Sequence, residues 1–223
     1  MNQNFLKLIQ SGNTAEVASA IAEDPALAVW RDPQDVSALL WSVYCGQPLV
    51  RDFLVAKRTA WNLPLDVFEA AATGNEQRLQ AILSESPTAA LVVSGDGWTP
   101  LHLAAAFGTP LGVAALIFRG AAVDAVSDNA QRNQPLHAAL ALGKNPSAIE
   151  LLISHGADVN ATQAGGFTPI FAAATANRRD LAELLVNHGA NPRYANNEGK
   201  TPGDFARERG HEELAAWLDG TTE

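Results

Sequence analysis

The octapeptide Thr99-Pro100-Leu101-His102-Leu103-Ala104-Ala105-Ala106 decides how this 223-residue chain folds, because variants of it recur along the sequence. The position of Thr99, with Gly108 nine residues later, defines a frame that occurs seven times. The pairs in this frame are Gln3/Gly12, Ser37/Gly46, Leu65/Gly74, Thr99/Gly108, Gln134/Gly143, Thr168/Asn177 and Thr201/Gly210. Their successive spacings are 34, 28, 34, 35, 34 and 33 residues, and so narrow a period indicates a repeat protein.

Each repeat continues with a second apolar pattern, in which residues at i, i+3 and i+4 share one face of a helix. The seven triples are Val17/Ala20/Ile21, Val50/Phe53/Leu54, Leu79/Ile82/Leu83, Val113/Leu116/Ile117, Ile149/Leu152/Ile153, Leu181/Leu184/Leu185 and Leu214/Trp217/Leu218. Gly120, Gly156 and Gly189 each follow such a helix, where a left-handed residue can end it. Thr168 stands before Pro169 and can cap a helix with its hydroxyl. The sequence therefore predicts stacked units of turn, helix, short loop and helix.

These units resemble ankyrin repeats along nearly the whole chain. The segments that carry the resemblance are Thr99-Pro-Leu-His-Leu-Ala-Ala, Pro135-Leu-His-Ala-Ala, Thr168-Pro-Ile-Phe-Ala-Ala-Ala, Thr201-Pro-Gly-Asp-Phe-Ala, His155-Gly-Ala-Asp-Val-Asn-Ala and His188-Gly-Ala-Asn-Pro. Asp24-Pro-Ala-Leu and Ser86-Pro are similar to the looser inter-repeat segments of bacterial members. The resemblance implies an all-α ankyrin-repeat solenoid of about seven helix-turn-helix units, with short β-hairpin turns between most of them.

The predicted single domain spans residues 1–223, with a frayed tail at 220–223. Its units are expected at about 1–32, 33–60, 61–94, 95–129, 130–163, 164–196 and 197–219. The short 28-residue spacing predicts an irregular junction at 55–64 that lacks a complete hairpin. Either the stack continues through this junction or a two-unit piece joins a five-unit array there. The shared triples that begin at Val50 and Leu79 favour a continuous stack.

The turn before Gln134 departs from the pattern in a second way. Arg132 stands at the place that is glycine in three other turns, at Gly97, Gly166 and Gly199. A non-glycine residue at this place predicts a changed turn conformation.

The composition excludes several classes of function. The net charge is −9, and residues 65–131 contribute −5 of it, because they hold 7 acids and 2 bases. An acidic surface repels phosphate backbones, so we expect no nucleic-acid partner. The most apolar stretch, 103–118, contains Gly108-Thr109-Pro110 and is shorter than a membrane span, and the N-terminal apolar run is too short for a signal peptide. We therefore expect a soluble cytoplasmic protein that does not contact a membrane.

The reactive side chains form no pattern typical of catalysis or metal binding. His102 and His137 occupy the fourth position of the motif, where the family resemblance implies that the imidazole hydrogen-bonds backbone near the turn. His155 and His188 precede helix-ending glycines, and no Cys or carboxylate stands at metal-ligand spacing beside them. Cys45, the one cysteine, has no evident partner that would activate it and cannot form an intramolecular disulfide. We expect no enzymatic activity, no metal and no cofactor.

The resemblance also implies where a partner would bind. In ankyrin-type scaffolds the variable contact positions lie on the turn tips and on the inner sides of the first helices, which form a concave wall. Carried onto this sequence, the hypothesis names ten partner-binding residues: Tyr44, Asp96, Trp98, Phe107, Gln131, Asn133, Leu142, Phe167, Asn197 and Lys200. Clustered exposed aromatic residues are typical of interface anchors. The alternative interpretation is that Trp98 and Phe167 only shield their own turns.

The sequence therefore predicts a non-catalytic protein–protein interaction module. The alternative is a structural or self-associating scaffold that uses its apolar face to form homo-oligomers. Of these two states, the sequence favours a monomer that binds an unidentified protein partner. Trp41 follows Ser37 by four residues, an inward position, and is assigned to the core.

Overall fold

The computed structural model describes residues 2–143 and 145–221, and within these ranges the chain forms fourteen α-helices and no β-strand. The helices are α1 (Asn2–Ser11), α2 (Thr14–Glu23), α3 (Ala38–Tyr44), α4 (Pro48–Ala60), α5 (Val67–Thr73), α6 (Glu76–Glu85), α7 (Pro100–Phe107), α8 (Pro110–Phe118), α9 (Pro135–Ala141), α10 (Pro146–Ser154), α11 (Pro169–Thr175), α12 (Arg179–Asn187), α13 (Pro202–Glu208) and α14 (Glu212–Gly220). Short 3-10 helices span Pro25–Val29, Pro87–Leu91 and Ala164–Gly166. The all-α solenoid predicted from the sequence is confirmed.

Odd-numbered helices are the first and even-numbered helices the second of each pair, and the pairs stack in chain order. Their buried apolar residues form one core that continues from Phe5 to Leu218. Each predicted triple contributes two buried residues and one half-buried residue to it. The half-buried members are Ala20, Phe53, Ile82, Ile117, Ile153, Leu184 and Trp217. No helix in the described part of the chain is long and apolar enough to cross a membrane.

The motif residues of α7 act as the sequence predicts. The Thr99 hydroxyl accepts a hydrogen bond from the backbone N–H of His102 at 3.4 Å, and His102 Nδ1 accepts one from the backbone N–H of Thr99 at 3.3 Å. On the other side of the ring, Nε2 donates to the carbonyl oxygen of Asn133 at 3.1 Å. His137 braces the following turn through the carbonyl oxygens of Ala161 and Phe167, at 3.0 and 3.2 Å. The backbone-bracing role expected for both imidazoles is therefore confirmed.

Two helix starts differ from the expectation. The Thr168 hydroxyl does not cap α11 and is buried without a partner. The backbone N–H of Phe171 donates to the carbonyl oxygen of Thr168 at 3.1 Å instead. The third unit begins one residue after Leu65. There the Asp66 side chain accepts from the Glu69 N–H at 2.9 Å, and the Glu69 carboxylate accepts from the Asp66 N–H at 3.0 Å. The capping pair therefore has an acidic residue in the place of His102.

The turns between units are short reversals of the chain, and two of them form an isolated antiparallel β-bridge, between Arg31 and Ser37 and between Gln163 and Phe167. One backbone hydrogen bond of 2.8–3.0 Å closes each of five turns, from Asp32 to Val36, Ser94 to Trp98, Ser127 to Asn133, Gln163 to Phe167 and Asn196 to Lys200. Arg132 adopts a φ of 48°, in the same left-handed region as Gly97 at 86°. Arg132 itself therefore takes the conformation that glycine takes elsewhere. The turn around it is changed, as predicted, because its closing bond joins Ser127 to Asn133 and so encloses two more residues than the bond from Ser94 to Trp98.

Two residues of the predicted frayed tail, 220–223, lie within the described part of the chain. Gly220 is the last residue of α14, and the Thr221 hydroxyl donates to the carbonyl oxygen of Trp217 at 2.7 Å. Residues 222 and 223 lie outside the described part, as do Met1 and Lys144.

An ion-pair network replaces the turn at the junction before the third unit. Helix α4 continues to Ala60, so the irregular segment is shorter than the predicted 55–64. Arg58, only 5% exposed, reaches from α4 to the Glu69 carboxylate at 2.5 Å and to the carbonyl oxygen of Pro64 at 2.5 Å. Arg31 adds an ion pair to the Asp66 carboxylate. Buried charges therefore hold the chain where the sequence has no room for a hairpin.

Candidate functional site

Four aromatic side chains from two units meet on the surface made by the turns and the first helices, which we call the inner face. Tyr44 lies 5.7 Å from Phe107 and 6.3 Å from Trp98, measured between ring centroids. Trp98 stacks on Phe107 at 6.2 Å, and Trp41 meets Tyr44 edge to face at 6.1 Å. All four rings are half-buried. We call Trp41, Tyr44, Trp98 and Phe107 the N-terminal aromatic cluster.

Two carboxylates fix the orientation of this cluster. The Tyr44 hydroxyl donates to Asp96 Oδ2 at 2.7 Å, and the Trp41 indole N–H donates to Asp32 Oδ2 at 2.8 Å. The other oxygen of Asp96 accepts a short hydrogen bond from the Ser94 hydroxyl. Burial, and then the Asp96 charge, raise the pKa of Tyr44 far above its usual value, so the phenol remains a hydrogen-bond donor.

The short junction before the third unit explains why units two and four meet. With no turn at 61–66, the turn tips on either side come into contact. A Cβ atom on Gly95 would lie 1.8 Å from the carbonyl oxygen of Gln34, so only glycine permits this approach. Between the two tips, α5 contacts both α3 and α7, and three of its seven residues are buried alanines.

A second aromatic cluster lies toward the other end of the inner face. Phe167, Phe171 and Phe205 contact one another edge to face, with centroids 5.2–5.5 Å apart and interplanar angles of 84–88°. They line a groove of about 490 Å³ together with Ala141, Ala172 and Ala176. The lining has no formally charged side chain, because burial lowers the pKa of His137 and keeps its ring neutral. We call the three phenylalanines the C-terminal aromatic cluster.

The remaining predicted residues are distributed along the inner face. Lys200 lies with Nζ 5.8 Å from the Phe205 centroid and pairs with the Glu208 carboxylate at 2.6 Å. Leu142, at the end of α9, is 48% exposed. Asn133 is buried and accepts the His102 bond with its backbone, so its side chain is not available to a partner.

Gln131 and Asn197 are exposed, but their backbones connect neighbouring turns. The carbonyl oxygen of Gln131 accepts from the N–H of Ala164 at 2.9 Å, and the N–H of Asn197 donates to the carbonyl oxygen of Gly165 at 3.0 Å. These bonds hold the turns of units five to seven in one row. The exposed side chains of Gln131 and Asn197 therefore extend from backbone that is fixed by hydrogen bonds.

Four of the ten predicted partner-binding residues, Tyr44, Asp96, Trp98 and Phe107, contact one another in the structure. Three further aromatic residues lie beside predicted ones. Trp41, which the sequence assigns to the core, packs against the core half-buried and also contacts Tyr44, three residues along the same helix. Phe171 and Phe205 were not predicted. The spacing of four residues between Phe167 and Phe171 was a usable signal for the first of them.

The ionisable side chains of this surface favour binding over proton transfer. Burial lowers the pKa of His102 to about 4, so its imidazole is neutral near pH 7. Burial raises the pKa of the Cys45 thiol, which keeps it protonated and weakly nucleophilic. Across residues 2–143 and 145–221, no group of three or more His, Cys, Asp and Glu side chains could hold a metal ion.

Comparison with known proteins places these features in a family. The family model described as ankyrin repeats (3 copies) matches residues 67–163 and 141–220. Neurogenic locus notch homolog protein 4 of Homo sapiens is 32% identical over 151 residues, which are 68% of this chain and 7% of that protein. B-cell lymphoma 3 protein homolog of Mus musculus is 33% identical over 134 residues, 59% of this chain and 30% of that protein. The chain thus spans less than a third of the length of either relative.

Proposed function

The chain belongs to the ankyrin-repeat family, and we propose that it is a non-catalytic cytoplasmic module that binds a partner protein through its inner face. A repeat scaffold of this kind presents an extended surface in which each unit contributes a few side chains. The two aromatic clusters are the anchors of this surface. The residues between them, including Gln131 and Leu142, contribute exposed contacts of lower energy.

The observation that carries the proposal is the half-burial of Tyr44, Trp98 and Phe107 on a surface with no further element over it among the described residues. Large aromatic rings that are already oriented lose little conformational entropy when a partner covers them, and such residues dominate binding energy at interfaces. The hydrogen bonds from Tyr44 to Asp96 and from Trp41 to Asp32 provide this orientation before binding.

The test is affinity purification from the native host with the double variant Trp98→Ala/Phe107→Ala. We expect partner recovery to fall at least tenfold, because removal of a central aromatic anchor costs about 2 kcal/mol or more. The purified partner is then titrated against both proteins by calorimetry, which gives the loss as a ratio of Kd values.

Leu49→Gln is the matched control, since Leu49 is an exposed apolar residue on α4, outside the inner face. It should recover the same partner as the unchanged protein. Circular dichroism spectra of all three proteins verify that each remains folded. Equal recovery by the double variant would remove the N-terminal aromatic cluster from the binding surface.

A further inference from the structure

Helix α8 is apolar on all sides although it lies at the surface. Its sequence, Pro110-Leu-Gly-Val-Ala-Ala-Leu-Ile-Phe118, contains no ionisable residue, whereas each of the other second helices contains at least one. Val113 and Leu116 face the core and are fully buried. On the opposite side, Leu111 is 63% and Phe118 84% exposed. A helix that is apolar all round is normally covered on all sides.

The corresponding positions of neighbouring second helices show what a solvated outer side looks like. Counted from the cap of each helix, the places of Leu111, Ala114 and Phe118 in α8 are polar in α6, α10 and α12. The residues there are Gln77/Gln80/Ser84, Ser147/Glu150/Ser154 and Asp180/Glu183/Asn187, of which eight are exposed and Glu183 is half-buried. The corresponding residues are Ala15/Ala18/Ala22 in α2 and Leu49/Asp52/Ala56 in α4. The apolar stripe of α8 therefore departs from α6, α10 and α12, and it differs from α2 and α4 by its exposed aromatic ring, Phe118.

The exposed sides of α6, α8 and α10 together form what we call the outer patch. It has a projection, Phe118, which forms one wall of a groove of about 430 Å³. The groove is also lined by Leu83, Ala114 and Ala115 and by the polar residues Gln80 and Ser84. It has one base, Arg119, whose guanidinium lies 5.9 Å from the Phe118 ring, and two exposed acids, Glu85 on α6 and Glu150 on α10. The outer patch thus carries little of the chain's net charge of −9.

We propose that a second copy of this chain covers the outer patch, with α8 packed against α8 about a two-fold axis. A two-fold contact requires a surface that is complementary to itself. The outer patch meets this requirement, since each Phe118 can enter the groove of the other copy and each Arg119 can pair with the other Glu150. Two acidic chains repel each other least where both surfaces carry little net charge.

The size of the outer patch predicts a weak dimer. Three helices about 10 Å apart, each about 13 Å long, present roughly 400 Å² from each copy. This area is at the low end for specific interfaces, so dimerisation should require high protein concentration. The proposal departs from the monomer that the sequence favours. It is independent of the proposed function, because the second helices lie on the side of the stack away from the aromatic clusters.

The test is sedimentation equilibrium of the full chain over a range of concentrations up to about 1 mM. We expect the average mass to rise above 23.5 kDa and approach twice that value. The variant Leu111→Gln/Phe118→Ser copies the polar residues of α6 onto α8 and should dissociate at least tenfold more readily. Leu49→Gln, the control on another second helix, should leave association unchanged.

Exchange of the two charges tests separately whether Arg119 of one copy pairs with Glu150 of the other. Arg119→Glu and Glu150→Arg should each weaken the dimer, and the combined variant should restore it. A chain that remains monomeric throughout the range would overturn the proposal, as would a dimer that persists in Leu111→Gln/Phe118→Ser. A dimer lost only in Trp98→Ala/Phe107→Ala would overturn it too, by assigning association to the inner face. Failure of the combined charge variant would overturn the two-fold pairing.

Discussion

The third and fourth units begin their first helices at equivalent places but stabilise them with different chemistry. In the fourth unit a five-residue turn is closed by a backbone bond, and the neutral imidazole of His102 braces the turn that follows. In the third unit the turn is missing, and the carboxylate of Glu69 occupies the position of that imidazole and pairs with Arg58. The same capping geometry therefore serves a long connection and a short one.

The difference has a consequence for the binding surface. Had the third unit a full turn, that turn would stand between those of units two and four. Its absence lets Tyr44 contact Asp96, Trp98 and Phe107 directly. A departure from the repeat thus creates the most densely aromatic part of the inner face, while the buried ion pair preserves the stack beneath it.

The largest expected effect comes from removal of the ion pair. Arg58→Ala should lower the free energy of unfolding by about 3–5 kcal/mol, because the buried Glu69 carboxylate would lose its nearest ion-pair partner and keep only Arg31, at 4.0 Å. Urea denaturation followed by circular dichroism measures the loss.

Arg51→Ala on the same helix is the matched control for this loss. Its guanidinium pairs with Asp52 at 2.8 Å at the surface, and such a pair contributes less than about 1 kcal/mol. Equal losses in Arg51→Ala and Arg58→Ala would show that the junction does not depend on the buried charges.

Acid should destabilise the fourth and fifth units through their buried imidazoles. The folded-state pKa of His102 is lowered to about 4 from an ordinary value of 6.5, and that of His137 is lowered too. As the pH falls, the unfolded chain therefore binds protons at these two imidazoles at a higher pH than the folded chain does. The contribution of the neutral imidazoles to the free energy of unfolding is fully present above pH 6.5. It is lost as the pH falls toward 4, by up to about 3 kcal/mol for His102. Urea denaturation at a series of pH values checks this direction.

His102→Gln separates this effect from general acid unfolding, since glutamine can keep the capping bond to Thr99 but does not titrate. Its stability should fall less between pH 6.5 and 4 than that of the unchanged protein. Parallel pH profiles for the two proteins would exclude His102 as the titrating group.

Much of the fold could be predicted because the same sequence pattern, with the same structural role, recurs in each repeat. The apolar triples, the glycines that end the second helices and the bracing histidines each recur, so one unit confirms another. Arg58 has no counterpart in other units, and its partner Glu69 is eleven residues away, so no pattern indicated the ion pair. The contact of Tyr44 with Asp96 joins residues 52 positions apart and depends on that junction.

Positions at which the local sequence pattern does not determine the side chain's contacts were also hard to predict. Thr168 has the sequence of a helix cap, but Phe171 removes its usual side-chain partner. The sequence shows α8 only as part of its most apolar segment, 103–118. It does not indicate which side of that helix is exposed when the units stack.

The smallest expected effect concerns the turn of the fifth unit. Arg132→Gly should raise the free energy of unfolding by about 0.5–1 kcal/mol, because glycine takes the left-handed conformation without strain. The urea midpoint measures this gain. Gly97→Ala should act in the opposite direction, since its Cβ would lie 2.3 Å from the carbonyl oxygen of Asp128. A loss of stability in Arg132→Gly would mean that the arginine side chain contributes more than its backbone costs.

The claim that the short third unit joins its two neighbours is tested most directly by a double-mutant cycle on Tyr44→Ala and Phe107→Ala, measured by urea denaturation. Ring contact across the junction predicts a coupling energy of about 0.5–1.5 kcal/mol. The distant pair Tyr44→Ala and Phe167→Ala should be additive, because these rings belong to different clusters. Additivity of Tyr44→Ala with Phe107→Ala within about 0.3 kcal/mol would contradict direct contact between units two and four.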